Sequence, residues 1–196
     1  MFFELAEKSR TARSFVSSRA VPEEDLMLIV DTARISPSAR NLQRVRYAVI
    51  TGENADGMFN NISLGGALKA EEKPTYADRA PAYIALLAPK TDTDPNLYID
   101  IGIASEAVTL AARSLGYSTC IIRSFKPDYL ASCIDTEKYS TVVVIAVGVS
   151  REVAEVRNVT EGESLMYFKE NGKHVVSKLS LDSVLLKQSN RDVVGW

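Results

Sequence analysis

Apolar positions recur along the chain with two periods, one typical of helices and one typical of strands. A spacing of about 3.6 residues predicts a short amphipathic helix at Phe2–Lys8. It also predicts a second helix that has Pro22 at its first helical position and ends before Pro37. Compact runs of β-branched and other apolar residues predict strands at Arg46–Thr51, Ala82–Ala88, Tyr117–Ile122 and Thr141–Val149.

The strongest helical pattern in the chain begins just before Asp100. Apolar residues surround this helix on nearly every side, and only Glu106, Thr109 and Arg113 form a narrow polar stripe. A helix of this kind is buried, either in the core of a large domain or against a second subunit. Gly116 suits the left-handed conformation that ends many helices, and a strand follows it directly.

Two regions have weaker patterns. Residues 53–80 combine a short helical pattern with two adjacent glycines and a charged run, which indicates a mobile excursion, or lid, over one face of the domain. Residues 150–196 are polar with scattered apolar anchors and a helical pattern at Leu181–Leu186, as in a tail that wraps a neighbouring subunit. The order of elements predicts an α+β fold in which helices cover a sheet, with residues 1–196 as a single domain.

Composition narrows the classes of protein to which the chain can belong. Its 196 residues are 46% hydrophobic and 24% charged, as in an ordinary globular protein. The net charge of −2 and the lack of a basic block argue against nucleic acid and acidic membrane surfaces as partners. The N-terminus lacks the apolar run of a signal peptide, and no segment approaches the ~20 apolar residues of a membrane span. A cytoplasmic location is therefore expected.

Few side chains suggest catalysis by the protein itself. The sequence has no glycine-rich dinucleotide loop, no phosphate-binding loop and no nucleophile elbow. His174, the only histidine, is predicted in a polar turn at the surface. Cys120 lies in an apolar strand and is predicted to be an inert core residue, and no metal site is expected.

Cations and small polar groups at the ends of the predicted elements are the remaining candidates for ligand binding. Arg10 and Arg13 are three residues apart and can face one ligand, with guanidinium forks that suit phosphate, or they are solvated charges. The loop Ser36–Asn41 lies between a helix and a strand, and is either a ligand-contacting loop or a plain helix stop. Lys178 is either another phosphate cation or a surface lysine.

Four motifs occur in the order and spacing of one protein family. They are Arg10-Thr11-Ala12-Arg13-Ser14-Phe15, Ser36-Pro37-Ser38-Ala39-Arg40-Asn41-Leu42-Gln43, an Asp100-Ile101-Gly102-Ile103-Ala104 helix that runs to Leu115-Gly116, and a strand bearing Cys120. In these motifs the chain resembles the FMN-dependent nitroreductases over nearly its whole length. The resemblance implies an α-β-α sandwich, with a mainly antiparallel sheet flanked by helices. It also implies a homodimer whose interface is centred on the long helix and holds two FMN molecules.

The same resemblance implies which residues bind FMN. Arg10, Thr11 and Arg13 would reach the flavin and its phosphate, and Arg13 would stabilise the negative charge of reduced flavin. The backbone amide of Ser124, next to Arg123, would donate a hydrogen bond to flavin N5. The resemblance also implies that Lys178, far along the chain, binds the phosphate as a further cation. Ser38, Ala39 and Asn41 would be contacts contributed by the partner subunit. No catalytic side chain is implied, because the flavin carries the chemistry.

The implied function is that of an FMN-dependent NAD(P)H oxidoreductase. In its ping-pong cycle, hydride passes from the nicotinamide to flavin N5 and on to a nitroaromatic, a quinone or a related small-molecule acceptor. An alternative is a degenerate family member that binds flavin or a nucleotide without turnover, as a carrier or regulatory module. A third alternative, which no residue favours, is flavin cleavage or reductive dehalogenation on the same fold.

Departures from the family pattern bear on these alternatives. Ser9 and Leu179 stand where the family often has arginine, and Ser124 stands where it usually has glycine. The run Arg44–Arg46 replaces Pro-Trp-His or a similar sequence. The two arginines of this run, together with Arg123, either compensate for the lost phosphate contacts or bind a different anionic substrate.

Overall fold

Helices and strands alternate along most of the chain, in a computed structural model that describes residues 2–66 and 68–186. The helices are Phe2–Lys8 (α1), Glu23–Arg34 (α2), Gly52–Met58 (α3), Asn96–Ser114 (α4), Pro127–Cys133 (α5) and Leu181–Val184 (α6). The strands are Arg46–Thr51 (β1), Ala82–Pro89 (β2), Ser118–Ile122 (β3), Tyr139–Gly148 (β4), Val153–Val159 (β5), Phe168–Glu170 (β6) and Lys173–Leu179 (β7). These elements form two units, residues 1–153 and residues 154–196.

An antiparallel sheet with the strand order β1-β2-β4-β3 lies at the centre of the first unit. Every residue of β2 from Ala82 to Ala88 is buried, and so is every residue of β4 from Val143 to Gly148. Unbroken apolar runs are typical of strands that are covered on both faces. These strands are the ones that the sequence predicts, and their ends differ from the predicted ends by no more than two residues.

Helices cover this sheet on both faces. On one face, Ile145 belongs to an apolar cluster with Ile29 of α2 and Val108 of α4. On the other face, Val144 belongs to a second cluster with Met58 of α3 and with residues of α5. Neighbouring residues of β4 therefore point to opposite layers, as alternation along a strand requires. The α-β-α sandwich implied by the sequence is confirmed.

The central helix α4 is covered by its own chain on one side only. Ile101 and Val108 are buried in the first apolar cluster. Ile99 and Ile103, by contrast, are 60% and 37% exposed. The nearly uniform apolar pattern of this helix therefore reflects a core contact on one side and an open apolar surface on the other. Gly116 follows the helix with φ +89°, in the predicted left-handed conformation.

The second helix begins one residue later than predicted. Its first residue is Glu23, and the carbonyl of Pro22 accepts the hydrogen bond from the N–H of Leu26 at 3.1 Å. Pro22 therefore caps the helix from outside, and its predicted place at the first helical position was wrong. At the other end α2 stops at Arg34, before Pro37, as expected.

The segment between β1 and β2, residues 52–80, is more regular than its sequence pattern indicates. It consists of α3 followed by short 3₁₀ turns. Ala55 and Met58 of α3 are buried in the second apolar cluster, so this segment covers part of the sheet. Phe59 and Tyr76 pack edge to face, with ring centroids 5.9 Å apart. The role of this segment as a lid stays a prediction.

The C-terminal unit contains a second sheet that the sequence pattern did not predict. Its strands have the order β5-β7-β6, and β6 and β7 form a hairpin in which Glu170 lies opposite Lys173. The turn between them is Asn171-Gly172, with φ values of +50° and +75°. An Asn-Gly pair is the typical sequence of a two-residue hairpin turn, so one local signal for this sheet was present.

His174 is buried, so its predicted place in a surface turn was wrong. Its side chain is only 2% exposed, and its ring lies 5.2 Å from the ring of Tyr167. The turn is formed by Asn171-Gly172 instead, and His174 already belongs to strand β7. The hairpin register places it opposite Lys169 of β6.

Two paired isoleucines of the sheet differ in burial, which predicts different effects when each is shortened. Ile145 is fully buried, whereas Ile121, which lies opposite it on β3, is 45% exposed. We expect Ile145→Ala to lower the free energy of unfolding by about 2–5 kcal/mol, because it leaves an enclosed cavity. The control, Ile121→Ala, should lower it by less than about 1 kcal/mol. Urea unfolding followed by circular dichroism measures both values, and equal losses would contradict this description of the core.

Candidate functional site

The segment that carries Arg10, Thr11 and Arg13 runs along one edge of the central sheet. Thr11 forms a parallel bridge with Thr119 of β3, and the N–H of Ala12 donates to the carbonyl of Thr119 at 2.9 Å. Because β3 is the last strand in the order of this sheet, the segment lies at the outer side of an edge strand. The structure therefore brings these three predicted site residues together.

Two carboxylates hold this segment where it leaves the strand edge. Glu152 Oε2 accepts the backbone N–H groups of Arg13 at 2.7 Å and of Ser14 at 3.2 Å. Asp78 Oδ1 accepts the hydroxyl of Ser14 at 2.7 Å. Burial works to raise the pKa of Asp78, but hydrogen bonds from Ser14 and Thr75 hold this pKa below its ordinary value. Asp78 is therefore ionised at neutral pH and keeps its acceptor role.

The guanidinium of Arg10 has one donor that no described residue satisfies. Its Nη2 donates to the carbonyl of Ala6 at 2.7 Å, which ties the side chain to α1. Its Nε is buried and has no acceptor among the described residues. Leaving a buried donor without an acceptor is costly, and a charged acceptor forms the strongest hydrogen bond with it. An anionic oxygen supplied by a ligand would satisfy this donor.

The loop that follows β3 presents Arg123 and Ser124 at the surface. The carbonyl of Ser124 accepts the N–H of Ser63 at 2.8 Å. Within residues 2–66 and 68–186, the N–H of Ser124 donates to no acceptor, which leaves it free to bind a ligand. The 52–80 segment is thus joined to the predicted site at two places, through Ser63 and through Asp78.

The loop between α2 and β1 carries Ser38, Ala39 and Asn41. The N–H of Ala39 donates to Oδ1 of Asp100, on α4, at 2.8 Å. The N–H of Gln43 donates to the hydroxyl of Ser38 at 3.1 Å. Next to this loop, α2, α4 and the start of β1 line a cavity of about 480 Å³. The loop is therefore both anchored to the central helix and open to a ligand.

Arg44 is bound inside the protein by carboxylates. Its Nη atoms lie close to the carboxylate oxygens of Asp92 (3.1 Å), Asp94 (3.0 Å) and Asp100 (3.1 Å), and its side chain is only 10% exposed. The backbone and side-chain amides of Asn96 are the main reason why the pKa of Asp94 is lowered to about 2, and Arg44 adds to this. These carboxylates already neutralise the charge of Arg44, which argues against both roles left open for it, compensation for a lost phosphate contact and binding of a different anionic substrate.

The other two arginines of the predicted anion site differ in what they contact. Arg46 Nη1 donates to the carbonyls of Gln43 at 2.7 Å and Val45 at 3.0 Å. Arg123 forms no hydrogen bond and no ion pair with the part of the chain that the structure describes. Of the three arginines, Arg123 is therefore the one that can turn towards an anion without breaking an existing contact.

The predicted site residues of the first unit fall into two groups at opposite edges of the sheet. Arg10, Thr11, Arg13, Arg123 and Ser124 lie beside β3, and the loop 38–41 leads into β1 at the far edge. Three strand spacings of roughly 4.8 Å separate the two edge strands by about 14 Å. The two groups therefore lie apart from each other within one protomer.

Two residues singled out by the sequence remain, Lys178 on β7 and Cys120 on β3. Lys178 is exposed on β7, in the C-terminal unit, and its role in binding stays a prediction. Cys120 is buried in β3, and burial raises the pKa of its thiol to about 11. The thiol form therefore dominates at neutral pH, and the prediction of an inert core cysteine is confirmed. Among the described residues, no group of three or more potential metal ligands occurs.

Three carboxylates that organise the site were not predicted: Asp78, Glu152 and Asp100. The first two contact residues that are far away in the sequence, so no local pattern identifies them. Asp100 had a signal, because it lies one helical turn before Ala104 on the buried side of α4 and is 2% exposed. A carboxylate on a buried helix face requires a partner, and its partners are Ala39 and Arg44.

A group of exposed apolar side chains lies on or directly after α1, α2 and α4, and both α1 and α2 contact α4. They are Phe2, Phe3, Met27, Leu28, Ile35, Tyr98, Ile99 and Ile103. No helix of the described ranges is both long and apolar enough to cross a membrane. Apolar patches of this kind are typical of surfaces that bind another protein.

Comparison with known proteins identifies the family. The sequence profile of the nitroreductase family matches residues 6–149, which is most of the chain. The chain belongs to the nitroreductase family. None of the curated proteins matches it.

Solved structures share the fold of this nitroreductase family member. A putative nitroreductase in complex with FMN from Desulfovibrio desulfuricans is 18% identical with a TM-score of 0.66, and the match covers 96% of this chain and 97% of that one. A nitroreductase family protein from Clostridium novyi is 24% identical with a TM-score of 0.62, over 77% and 86% of the two chains. NfnB from Mycobacterium smegmatis, an FMN-dependent nitroreductase in complex with NADPH, is 18% identical with a TM-score of 0.62, over 76% and 87%.

Proposed function

We propose that this nitroreductase family member is an FMN-dependent NAD(P)H oxidoreductase. The family match and the relative that contains FMN support a flavin oxidoreductase. The observation that carries the proposal for this chain is the buried Nε of Arg10, which lacks an acceptor among the described residues and would be satisfied by a phosphate oxygen. Bound FMN would supply the redox chemistry, taking hydride from the nicotinamide at N5 and reducing a nitroaromatic, a quinone or a related acceptor in a ping-pong cycle.

In this proposal the residues beside β3 hold one side of FMN. Arg10 binds the phosphate, and the free N–H of Ser124 donates to flavin N5. Arg13, whose backbone is held by Glu152, places a positive charge where negative charge develops when the flavin is reduced. The remaining cofactor contacts are assigned to Thr11, Arg123 and Lys178.

A second copy of the chain completes the site in this proposal. The loop 38–41 lies at the sheet edge opposite to Arg10, so it reaches a flavin held by Arg10 of the partner subunit. The exposed apolar side chains of α1, α2 and α4 supply a surface for this homodimer, with α4 at its centre. Within the described residues, the proposal places residues 150–186 against the partner subunit and makes residues 53–80 the lid of the pocket; the rest of the predicted tail, residues 187–196, lies outside the described residues.

The proposed substrates are NAD(P)H and a small-molecule electron acceptor. The Mycobacterium smegmatis relative in complex with NADPH supports a nicotinamide as the electron donor. One pocket above the flavin would serve both substrates in turn, as a ping-pong cycle requires. We place the protein in the cytoplasm, with neither nucleic acid nor a membrane among its partners, in keeping with its net charge of −2.

The proposed function predicts that the purified protein contains FMN or takes it up when FMN is added. Excess NADH or NADPH should bleach the flavin absorption without oxygen, and a nitrofuran or a quinone should restore it. Absorption spectroscopy of the anaerobic protein measures each half of the cycle separately. Tight FMN binding without bleaching would identify a carrier or regulatory protein instead. A colourless protein that ignores added FMN would contradict the proposal altogether.

The assignment of the phosphate cations predicts a specific loss of FMN affinity. We expect Arg10→Met and Arg13→Ala each to raise the Kd for FMN at least tenfold, because each removes a cation from the anionic cofactor. Arg19→Met is the matched control, since Arg19 is exposed and outside the predicted site. Quenching of FMN fluorescence measures the three Kd values. An unchanged affinity in both site variants would refute this map of the site.

The proposed homodimer predicts that a charge on the exposed side of α4 separates the subunits. We expect Ile103→Asp to give a monomer that has lost FMN binding, because a carboxylate cannot be buried unpaired in an apolar interface. Ala131→Asp, at an exposed position of α5 in the opposite layer, is the control and should remain dimeric. Light scattering after size-exclusion chromatography measures the mass of each. A dimer of normal affinity in the Ile103 variant would exclude α4 from the interface.

A further inference from the structure

We propose that Arg44 is a positioning residue, which holds the loop 38–43 in the conformation that meets the flavin of the partner subunit. This inference rests on the proposed function, in which the loop is a cofactor contact. It concerns a residue where this chain departs from the family's Pro-Trp-His run, so it assigns a role to that departure.

The backbone of this loop is held in an unfavourable conformation. Arg40, Asn41 and Gln43 have φ values of +53°, +54° and +48°, in the left-handed region that favours glycine. A side chain at each of these positions makes the left-handed conformation unfavourable, and three within four residues is a large concentration of strain. Such a loop keeps its shape only where contacts around it impose that shape.

Asp100 supplies contacts at both ends of the loop. Its Oδ1 accepts the N–H of Ala39 at 2.8 Å, and its Oδ2 accepts Nη2 of Arg44 at 3.1 Å. The carboxylate of Asp100 on α4 thus holds Ala39 near the start of the loop. It also holds Arg44, which directly follows the strained Gln43. Because Asp100 is 2% exposed, this bridge is shielded from water and from salt.

Arg44 also binds two carboxylates that lie outside α4. Its Nη1 donates to the carboxylates of Asp92 at 3.1 Å and Asp94 at 3.0 Å, just before α4 begins. Its Nε has no acceptor among the described residues, so its hydrogen bonds to them are made by the two Nη groups. Unlike Arg10, Arg44 is surrounded by the three carboxylates of Asp92, Asp94 and Asp100, which cancel its attraction for an anionic ligand. Its effect on a ligand is therefore exerted through the loop.

Arg40 provides an internal comparison within the same network. It also pairs with Asp94, at 3.0 Å, but its side chain is 74% exposed and it makes no contact with Asp100. Exposed ion pairs contribute little, whereas the loss of one partner of a buried pair leaves the other charge uncompensated. A positioning role therefore falls on Arg44 and not on Arg40.

A loop that is already held in its binding conformation loses less entropy when the ligand binds. Removal of Arg44 should free the strained residues to relax to other conformations, so that only a fraction of the molecules presents a competent loop. The apparent Kd rises in inverse proportion to that fraction. The effect is on cofactor affinity, and it differs from a loss of stability of the whole domain.

The test compares FMN affinity in variants of the full-length protein. We expect Arg44→Gln to raise the Kd for FMN about tenfold, and Arg44→Lys to recover part of that loss because it restores the charge. The control Arg19→Gln, at an exposed position outside the predicted site, should stay within a factor of two of the unchanged protein. Fluorescence quenching by titration gives the Kd values, and amide hydrogen exchange of Ala39 in the flavin-free protein reports whether the loop has loosened.

Each result decides for or against the inference. If the unchanged protein does not bind FMN, the proposed function fails first and this inference fails with it. If it binds FMN and a folded Arg44→Gln variant binds equally well, the proposed function survives and the positioning role is refuted. If Arg44→Gln does not fold, Asp100→Asn decides, because its amide oxygen can still accept from Ala39 while the charge opposite Arg44 is lost. Tenfold weaker binding with faster Ala39 exchange then supports the inference, and unchanged binding overturns it.

Discussion

The two central strands of the sheet, β2 and β4, are apolar on both faces, and the arrangement of the first unit follows from the need to cover them. Helices α2 and α4 lie over one face, and α3 and α5 lie over the other. With both faces closed, the two edges of the sheet are the places where polar segments can approach the strands. The two groups of predicted ligand contacts lie at those edges, so their location is a consequence of how the core is built.

Carboxylates accept hydrogen bonds from the polar segments at each of these edges. Where a segment leaves regular structure, its backbone donors lose their partners, and Glu152, Asp78 and Asp100 accept donors from those segments. A carboxylate has about four acceptor positions, so one side chain can hold two points of the backbone at once. Each of these contacts joins two parts of the same chain. Contacts of this kind hold the polar segments at the sheet edges in a defined conformation.

Local patterns predicted the fold well and the site poorly, for a physical reason. Strand β1 was predicted at both ends because a β-branched run and a following glycine are neighbours in sequence. The contact of Arg44 with Asp100 spans 56 residues, and that of Arg13 with Glu152 spans 139, so no local pattern contains them. From residue chemistry alone, the arginines of the first motif were as compatible with solvated charges as with a phosphate site. The family resemblance supplied that assignment, and the C-terminal sheet escaped prediction despite its Asn-Gly turn.

The position of β1 and β3 at opposite edges has a genetic consequence in the proposed dimer. Each copy of the chain contributes Arg10 to one site and its loop 38–41 to the other. A lesion at either edge damages both sites of a symmetric pair. Consider a mixed dimer in which one copy has a substitution at Arg10 and the other has one in the loop 38–41. Both substitutions then fall in the same site, and the other site is intact. In the proposed dimer, two inactive alleles of this gene would therefore complement each other, because each site takes residues from two chains.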